Sequence, residues 1–217
     1  MSKKKTIICV NGKLHKPIAK YHNIIGKDNF IIAADGGAIL LEKIRITPDI
    51  IIGDLDSLCQ KKIDFFKNRD VSLLEFPVEK DKTDGELAID YCKQNNFNKV
   101  IIIGSHGGRI DQQLANILLL EYGLKLKLSI LIKDPGLEMG LITDHKIFEN
   151  KYDWKLSLIS LSKITEGLSI KGCKYEVNNE NLFRYKTRGI SNKINSSQAI
   201  ISIKNGLLLY IINKHLS

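Results

Sequence analysis

Short, largely apolar runs alternate with longer stretches of helical patterning through the first 134 residues of the chain. The runs lie at 6–10, 30–34, 49–52, 71–76, 99–103 and 127–132. Between them, apolar residues recur at helical spacing over 38–44, 61–68, 84–95 and 111–122. Strand and helix in alternation predict an α/β domain, a parallel sheet connected by crossover helices. The last of these helices is expected to turn Leu114, Ile117 and Leu118 inward.

The grammar changes at Asp134, Pro135 and Gly136. Beyond them the residues read as short strands and turns, at 155–160, 167–170, 198–204 and 207–212. Asn205 and Gly206 separate the last two, the strongest short hairpin signal available. The expected organisation is therefore an α/β domain over 1–135 and an antiparallel β domain over 136–217. A β unit this small is helped by packing on the first domain or on another subunit.

Composition removes several classes. With 217 residues and 43% hydrophobic content, the chain can build one large domain or two small ones and is not disordered. The apolar stretch Ile7 to Val10 is too short for a signal-peptide core or a membrane span, so a soluble, cytoplasmic protein is expected. Cys9, Cys59, Cys92 and Cys173 are far apart without CxxC spacing, which predicts reduced, buried thiols rather than disulfides or structural zinc. The five histidines form no metal-binding pair, and only His106 lies in a glycine-rich loop. Lys+Arg of 33 against Asp+Glu of 24 gives +9. Such a charge suits nucleic acid, an anionic surface or a phosphorylated substrate, but apart from Lys3 to Lys5 the lysines are scattered with no nucleic-acid motif, so nucleic-acid binding is not expected and a generally lysine-rich background accounts for the charge.

Two acidic clusters carry the candidate chemistry. In GDLDSL, Gly53 to Leu58, an apolar run ends at Gly53 and releases Asp54 and Asp56 into a turn with no local counter-charge. Acids this close repel unless a cation or protons intervene. Hard oxygen ligands suit a hard divalent ion that also holds phosphates, magnesium rather than zinc. In KDKTDGE, Lys80 to Glu86, Thr83 and Glu86 have the capping-box spacing, which puts Asp81 and Asp84 at or just before the first turn of a helix. Helix starts favour acids for ordinary reasons too, so the combination of the clusters is what points to a metal.

Two glycine-rich loops fall at the same expected sheet edge, where open α/β sheets bind ligands. GSHGGRIDQQ, Gly104 to Gln113, leads from a strand into a helix that Asp111 can cap. Arg109 is its candidate phosphate clamp, because a planar guanidinium pairs two oxygens at once; taken alone, the loop reads equally well as a structural turn capped by Asp111. AADGGA, Ala33 to Ala38, offers Asp35 to a substrate or merely to a turn. Neither loop is a Walker loop or a dinucleotide fingerprint.

In that order and spacing, AADGGAIL, PDIIIGDLDSL, FPVEKDKTDGELAI and GSHGGRIDQQLANILLL resemble the bacterial thiamine pyrophosphokinases. TEGLSIKGCKYEV at Thr165 to Val177 and GISN at Gly189 to Asn192 extend the resemblance into the second half, although KINSS follows GISN where an acidic residue is common in that family. The resemblance implies an α/β nucleotide-binding domain, a β-sandwich and a homodimer. It also implies transfer of a whole pyrophosphoryl group from ATP to thiamine, with AMP leaving. Asp54, Asp56 and Asp84 become magnesium-site candidates with Asp81 beside them in the catalytic set. Asp35, Gly36, Gly37, Gly107, Gly108, Arg109, Asp111 and Gln112 go to the ATP side, and Ser191 and Asn192 to thiamine. The residues agree chemically, since such transfer needs positioning and charge neutralisation rather than a covalent nucleophile, and one Asp can take the hydroxyl proton. Two rivals stand beside this reading. A DxD phosphatase would use Asp54 as nucleophile, but Leu58 and Gly53 fit its pattern poorly. A non-catalytic nucleotide-binding protein would need no AMP release.

Overall fold

The computed structural model describes residues 5–15 and 17–214; Lys3 and Lys4 of the basic block lie outside them. The chain divides into two compact units, Met1–Pro135 and Gly136–Ser217.

The first unit contains β1 (Thr6–Cys9), α1 (Ala19–Ile25), β2 (Phe30–Ala34), α2 (Gly37–Lys43), β3 (Ile50–Gly53), α3 (Gln60–Lys67), β4 (Ser72–Glu75), α4 (Asp84–Gln94), β5 (Lys99–Ile103), α5 (Ile110–Lys125) and β6 (Ser129–Asp134). Its strands lie in the order β6-β5-β1-β2-β3-β4, every pair parallel. The continuous apolar runs follow from burial on both faces: β1 and β3 are buried along their whole length. One face of the sheet gives Ile7, Cys9, Ile31, Ala33, Ile51, Ile101 and Ile103 to a core closed by Tyr21, Leu41 and Phe66 of α1 to α3. The alternate residues Ile8, Ile32, Ile52 and Ile102 are equally buried and face the other way, where α4 packs on β1, β2 and β3. Each such isoleucine stabilises the fold by roughly 1.5–3 kcal/mol.

The helix α1 was not expected from the sequence. It is a short segment that begins without a side-chain cap and buries only Tyr21 and Ile25, too little periodicity to read. The α5 expectation is corrected: Leu119, Leu120 and Gly123 are buried, while Leu114 and Leu118 are exposed and Ile117 is half-buried. This helix is apolar on two faces, so periodicity cannot say which one packs.

The second unit contains β7 (Leu137–Ile142), β8 (His145–Glu149), β9 (Lys155–Ser160), β10 (Ile164–Lys171), β11 (Val177–Phe183), β12 (Asn192–Lys193), β13 (Gln198–Ser202) and β14 (Leu208–Asn213). They form two antiparallel layers, β12-β9-β14-β7 and β11-β10-β13-β8. Alternating burial along β9 and the edge contact of Phe148 on β8 with Tyr210 on β14, ring centroids 5.0 Å apart, mark the shared core of a β-sandwich. The expected hairpin at Asn205 and Gly206 is not formed. There β13 pairs with β8 and β10, β14 pairs with β7 and β9, and the turn carries the chain from one layer to the other. Asn205 bridges to Glu166 of β10 instead of closing a two-strand ladder.

The four cysteines are free, and Cys59 is exposed, unlike the other three. It precedes α3 as an N-cap residue without a side-chain bond, outside the core. Among the described residues no helix is long and apolar enough to cross a membrane.

Candidate active site

In the first unit the chain runs outward from β1 through β2, β3 and β4, then returns to add β5 and β6 on the other side. The loops leaving β1 and β5 therefore diverge, and such a switch point opens a crevice at the carboxyl ends of the strands. A cavity of about 150 Å³ lies there. Val10, Asn11 and Gly12 after β1 form one wall, Ser105, Gly108 and Arg109 after β5 the other, and Asp35, Asp84 and Gln112 also line it. The two walls touch through their backbones: a Cβ on Gly12 would lie 2.0 Å from the Gly104 carbonyl oxygen, so only glycine permits this approach.

At one end of the groove the ends of β2 and β3 bring three acids together. One carboxylate oxygen each of Asp35, Asp54 and Asp56 lies within 4.8 Å of the others. Gly53, at φ +153°, makes this possible, because a Cβ there would sit 2.9 Å from Asp35 Cβ and 3.1 Å from Asp84 Oδ1. Ser57 Oγ donates to Asp35 Oδ2, and the Asp56 N–H donates to Asp54 Oδ1 at 3.2 Å. Lys80 reaches in from the second acidic cluster, its Nζ 3.1 Å from both Asp54 Oδ2 and Asp84 Oδ1.

The electrostatics follow from these contacts. Burial raises the Asp54 carboxyl, but the Lys80 ammonium and the Asp56 N–H outweigh it and hold the group below its ordinary value. Asp84 is held above its ordinary value, by burial first and then by the charges of Asp54 and Asp35, against the pull of Lys80. Asp35 Oδ1 is buried without a hydrogen-bond partner, a costly state for a carboxylate oxygen. An all-oxygen donor set with one orphaned buried atom fits a hard divalent cation.

Of the residues read from the sequence, Asp54 and Asp56 meet, and Asp84 is joined to Asp54 through Lys80. Asp35 belongs to the acid cluster as well as lining the groove. Asp81 is exposed and makes no hydrogen bond or ion pair to the cluster. The capping box is formed: Thr83 Oγ1 accepts from Glu86 N, and the Glu86 carboxylate accepts from Thr83 N. The expected Asp111 cap is corrected. Arg109 is the N-cap residue and Asp111 lies inside the first turn of α5, where its carboxylate takes Arg109 Nε at 3.1 Å and the Gln112 N–H at 2.9 Å. Gly108, Arg109 and Gln112 line the groove; Gly36 and Gly37 stand behind it, Gly36 against Asn11 and Gly37 against Cys9. Gly107, at φ +83°, lies over Lys13 and His15.

Sequence reasoning missed Asn11, Gly12, Lys80 and Ser105. For Asn11 and Gly12 a signal existed, a polar Asn-Gly step directly after an apolar strand.

The second unit has a pocket of about 350 Å³ lined by Leu168, Ile170, Tyr175, Glu180, Ile190 and Asn192 among others. Asn192 is buried, and its carboxamide is spent on backbone: Oδ1 accepts from Tyr175 N at 3.0 Å and Nδ2 donates to Tyr175 O at 2.8 Å. It shapes the pocket by fixing Tyr175. Ser191 is exposed at φ +61°, its N–H donated to Ser157 Oγ.

Comparison with known proteins covers both units. The catalytic domain of thiamin pyrophosphokinase matches residues 21–132, and the vitamin B1 binding domain of thiamin pyrophosphokinase matches residues 144–208. The thiamine pyrophosphokinase of Bacillus subtilis (strain 168) is 29% identical over 209 residues, 95% of this chain and 98% of its own. A crystal structure of the Bacillus subtilis protein has a TM-score of 0.86 at 26% identity, covering 98% of this chain and 100% of that one. Yeast thiamin pyrophosphokinase shares the fold, with a TM-score of 0.79 at 18% identity over 99% of this chain and 87% of its own. The chain belongs to the thiamin pyrophosphokinase family.

Proposed function

We propose that the chain transfers the terminal pyrophosphoryl group of ATP to the hydroxyl of thiamine, giving AMP and thiamine diphosphate. Asp35, Asp54 and Asp56 would hold Mg²⁺, with Asp84 beside them. The observation that carries this reading is the acid cluster around Gly53, with its partnerless Asp35 oxygen, at the mouth of the switch-point groove. Bound magnesium supplies charge neutralisation for phosphates. The protein's own part is positioning. Backbone amides of the glycine loops can approach the phosphates closely, and the Arg109 fork can leave Asp111 for phosphate oxygens at little cost, because that ion pair is exposed. Lys80 holds Asp54 and Asp84 in place and adds a positive charge.

Thiamine is a flat cation with an apolar body. The pocket of the second unit suits it: Leu168, Ile170 and Leu182 give apolar walls, Tyr175 a ring, and Glu180 a carboxylate that is paired with Arg188 of the same lining and would exchange that partner for the thiamine cation. Ser191 and Asn192 belong to this side. A homodimer fits the same picture, because Ile110, Leu114 and Leu118 form an exposed apolar stripe along α5, and a second copy is the occupant that a folded, symmetric enzyme has at hand. Free thiols and use of ATP support a cytoplasmic location.

The test is rapid quench with ATP labelled on its terminal phosphates. Label is expected on thiamine alone. A kinetically competent phospho-enzyme would instead make Asp54 a nucleophile, as the phosphatase reading requires, and a protein that transfers no label in the presence of Mg²⁺ and thiamine would be a binding protein only.

A further inference from the structure

Beneath the glycine loop lies a polar network that the transfer reaction does not use directly. Asp134, the last residue of β6, has its side chain fully buried. Its Oδ1 accepts from the Tyr21 hydroxyl at 2.9 Å and from the Gly104 N–H at 3.0 Å, and its Oδ2 meets His106 Nδ1 at 2.8 Å. A buried carboxylate is tolerated only when donors converge on it like this. Tyr21 OH in turn accepts from His15 N at 3.1 Å. The His15 and His106 rings stack, centroids 3.8 Å apart and 4° from parallel, and Lys13 N donates to the His106 carbonyl. The network thus fastens the loop after β1 to the loop after β5, the two walls of the groove.

We propose that His106 is a positioning residue for the nucleotide. Held by Asp134 at Nδ1 and by His15 through its face, it fixes the spacing between the Asn11–Gly12 wall and the Ser105–Arg109 wall that receives the triphosphate. Free of this clamp, the glycine loop would have to be ordered by the nucleotide itself, and that ordering would be subtracted from binding. The inference rests on the ATP reading above. It concerns residues outside the acid cluster and predicts a defect on the ATP side alone.

The experiment measures Mg-ATP binding by calorimetry, without thiamine, on wild type, His106→Ala, His106→Asn and His15→Ala, together with the KM for each substrate. His106→Ala is expected to weaken Mg-ATP about tenfold and raise the ATP KM similarly, while the thiamine KM stays within twofold. His106→Asn, whose amide can still donate to Asp134, is expected to recover most of the loss. His15→Ala, which removes only the stacked ring, is expected to fall between wild type and His106→Ala, and decides the matter if His106→Ala does not fold. Unchanged Mg-ATP affinity in the folded variants, or an equal rise in both KM values, overturns the proposal. A wild-type protein that binds no Mg-ATP overturns the ATP reading and this proposal together.

Discussion

Replacing Asp35 by asparagine separates a metal site from an ordinary acidic turn. Asp35, Asp54 and Asp56 have carboxylate oxygens within 4.8 Å. At that distance two unit charges repel by roughly 3.5 kcal/mol for an effective dielectric near 20. Asp56 is exposed and Asp54 is paired with Lys80, so screening cuts the relief from removing the buried charge to about 1–2 kcal/mol. The asparagine oxygen can still accept from Ser57, and its N–H₂ can point at a neighbouring carboxylate in place of the orphaned oxygen. For a chain of this size, Asp35→Asn should therefore raise the melting temperature of the metal-free protein by about 2–8 °C. The metal response should run the other way. Wild type at a Mg²⁺ concentration a hundredfold above Kd gains about 2.7 kcal/mol, whereas Asp35→Asn should gain less than a third of that and lose at least a hundredfold in turnover. Thermal melts in chelator and in Mg²⁺ read both effects. A variant that is less stable without metal, yet keeps the full Mg²⁺ shift, would refute the reasoning.

Other expectations follow from the same geometry. Arg109→Lys keeps the charge but loses the fork, so the ATP KM should rise about tenfold with thiamine affinity unchanged; a change in the thiamine KM alone would put Arg109 on the other substrate. Leu114→Glu combined with Leu118→Glu, both on the exposed stripe of α5, should shift sedimentation from dimer to monomer without lowering the melting temperature by more than a few degrees. Asp84, whose pKa is raised in the folded state, binds its proton more tightly folded than unfolded, so its ionisation costs stability as pH rises from the ordinary carboxylate value through the folded one. In chelator, the gain in melting temperature of Asp84→Asn over wild type should accordingly be larger at pH 7 than at pH 4; an equal gain at both would show that ionisation of Asp84 carries no such cost.

Much of the first unit was legible because strands buried on both faces leave unbroken apolar runs, as 30–34 and 100–103 do. Asp54 and Asp56 were legible for a related reason, as acids directly after such a run with no counter-charge near them in sequence; the Lys80 that pairs with Asp54 is distant along the chain. What was hidden depends on contacts distant in sequence. Asp35 reads locally as a turn former, and only the parallel pairing of β2 with β3 puts it beside Asp54. His15, His106 and Asp134 share no local pattern, so histidines that looked isolated turn out to be stacked. Strand β11, with the polar sequence VNNENLF, sits at the edge of its layer, where backbone pairing rather than apolar alternation makes the strand. The Asn205-Gly206 signal gave a turn, but a turn motif cannot say whether the strands it joins pair with each other.

Product stoichiometry tests the central claim most directly. Wild-type protein incubated with ATP, thiamine and Mg²⁺, then resolved by chromatography, should form AMP and thiamine diphosphate in equal amounts, with neither formed in chelator. Formation of ADP with thiamine monophosphate, or of free phosphate without a thiamine ester, would contradict it.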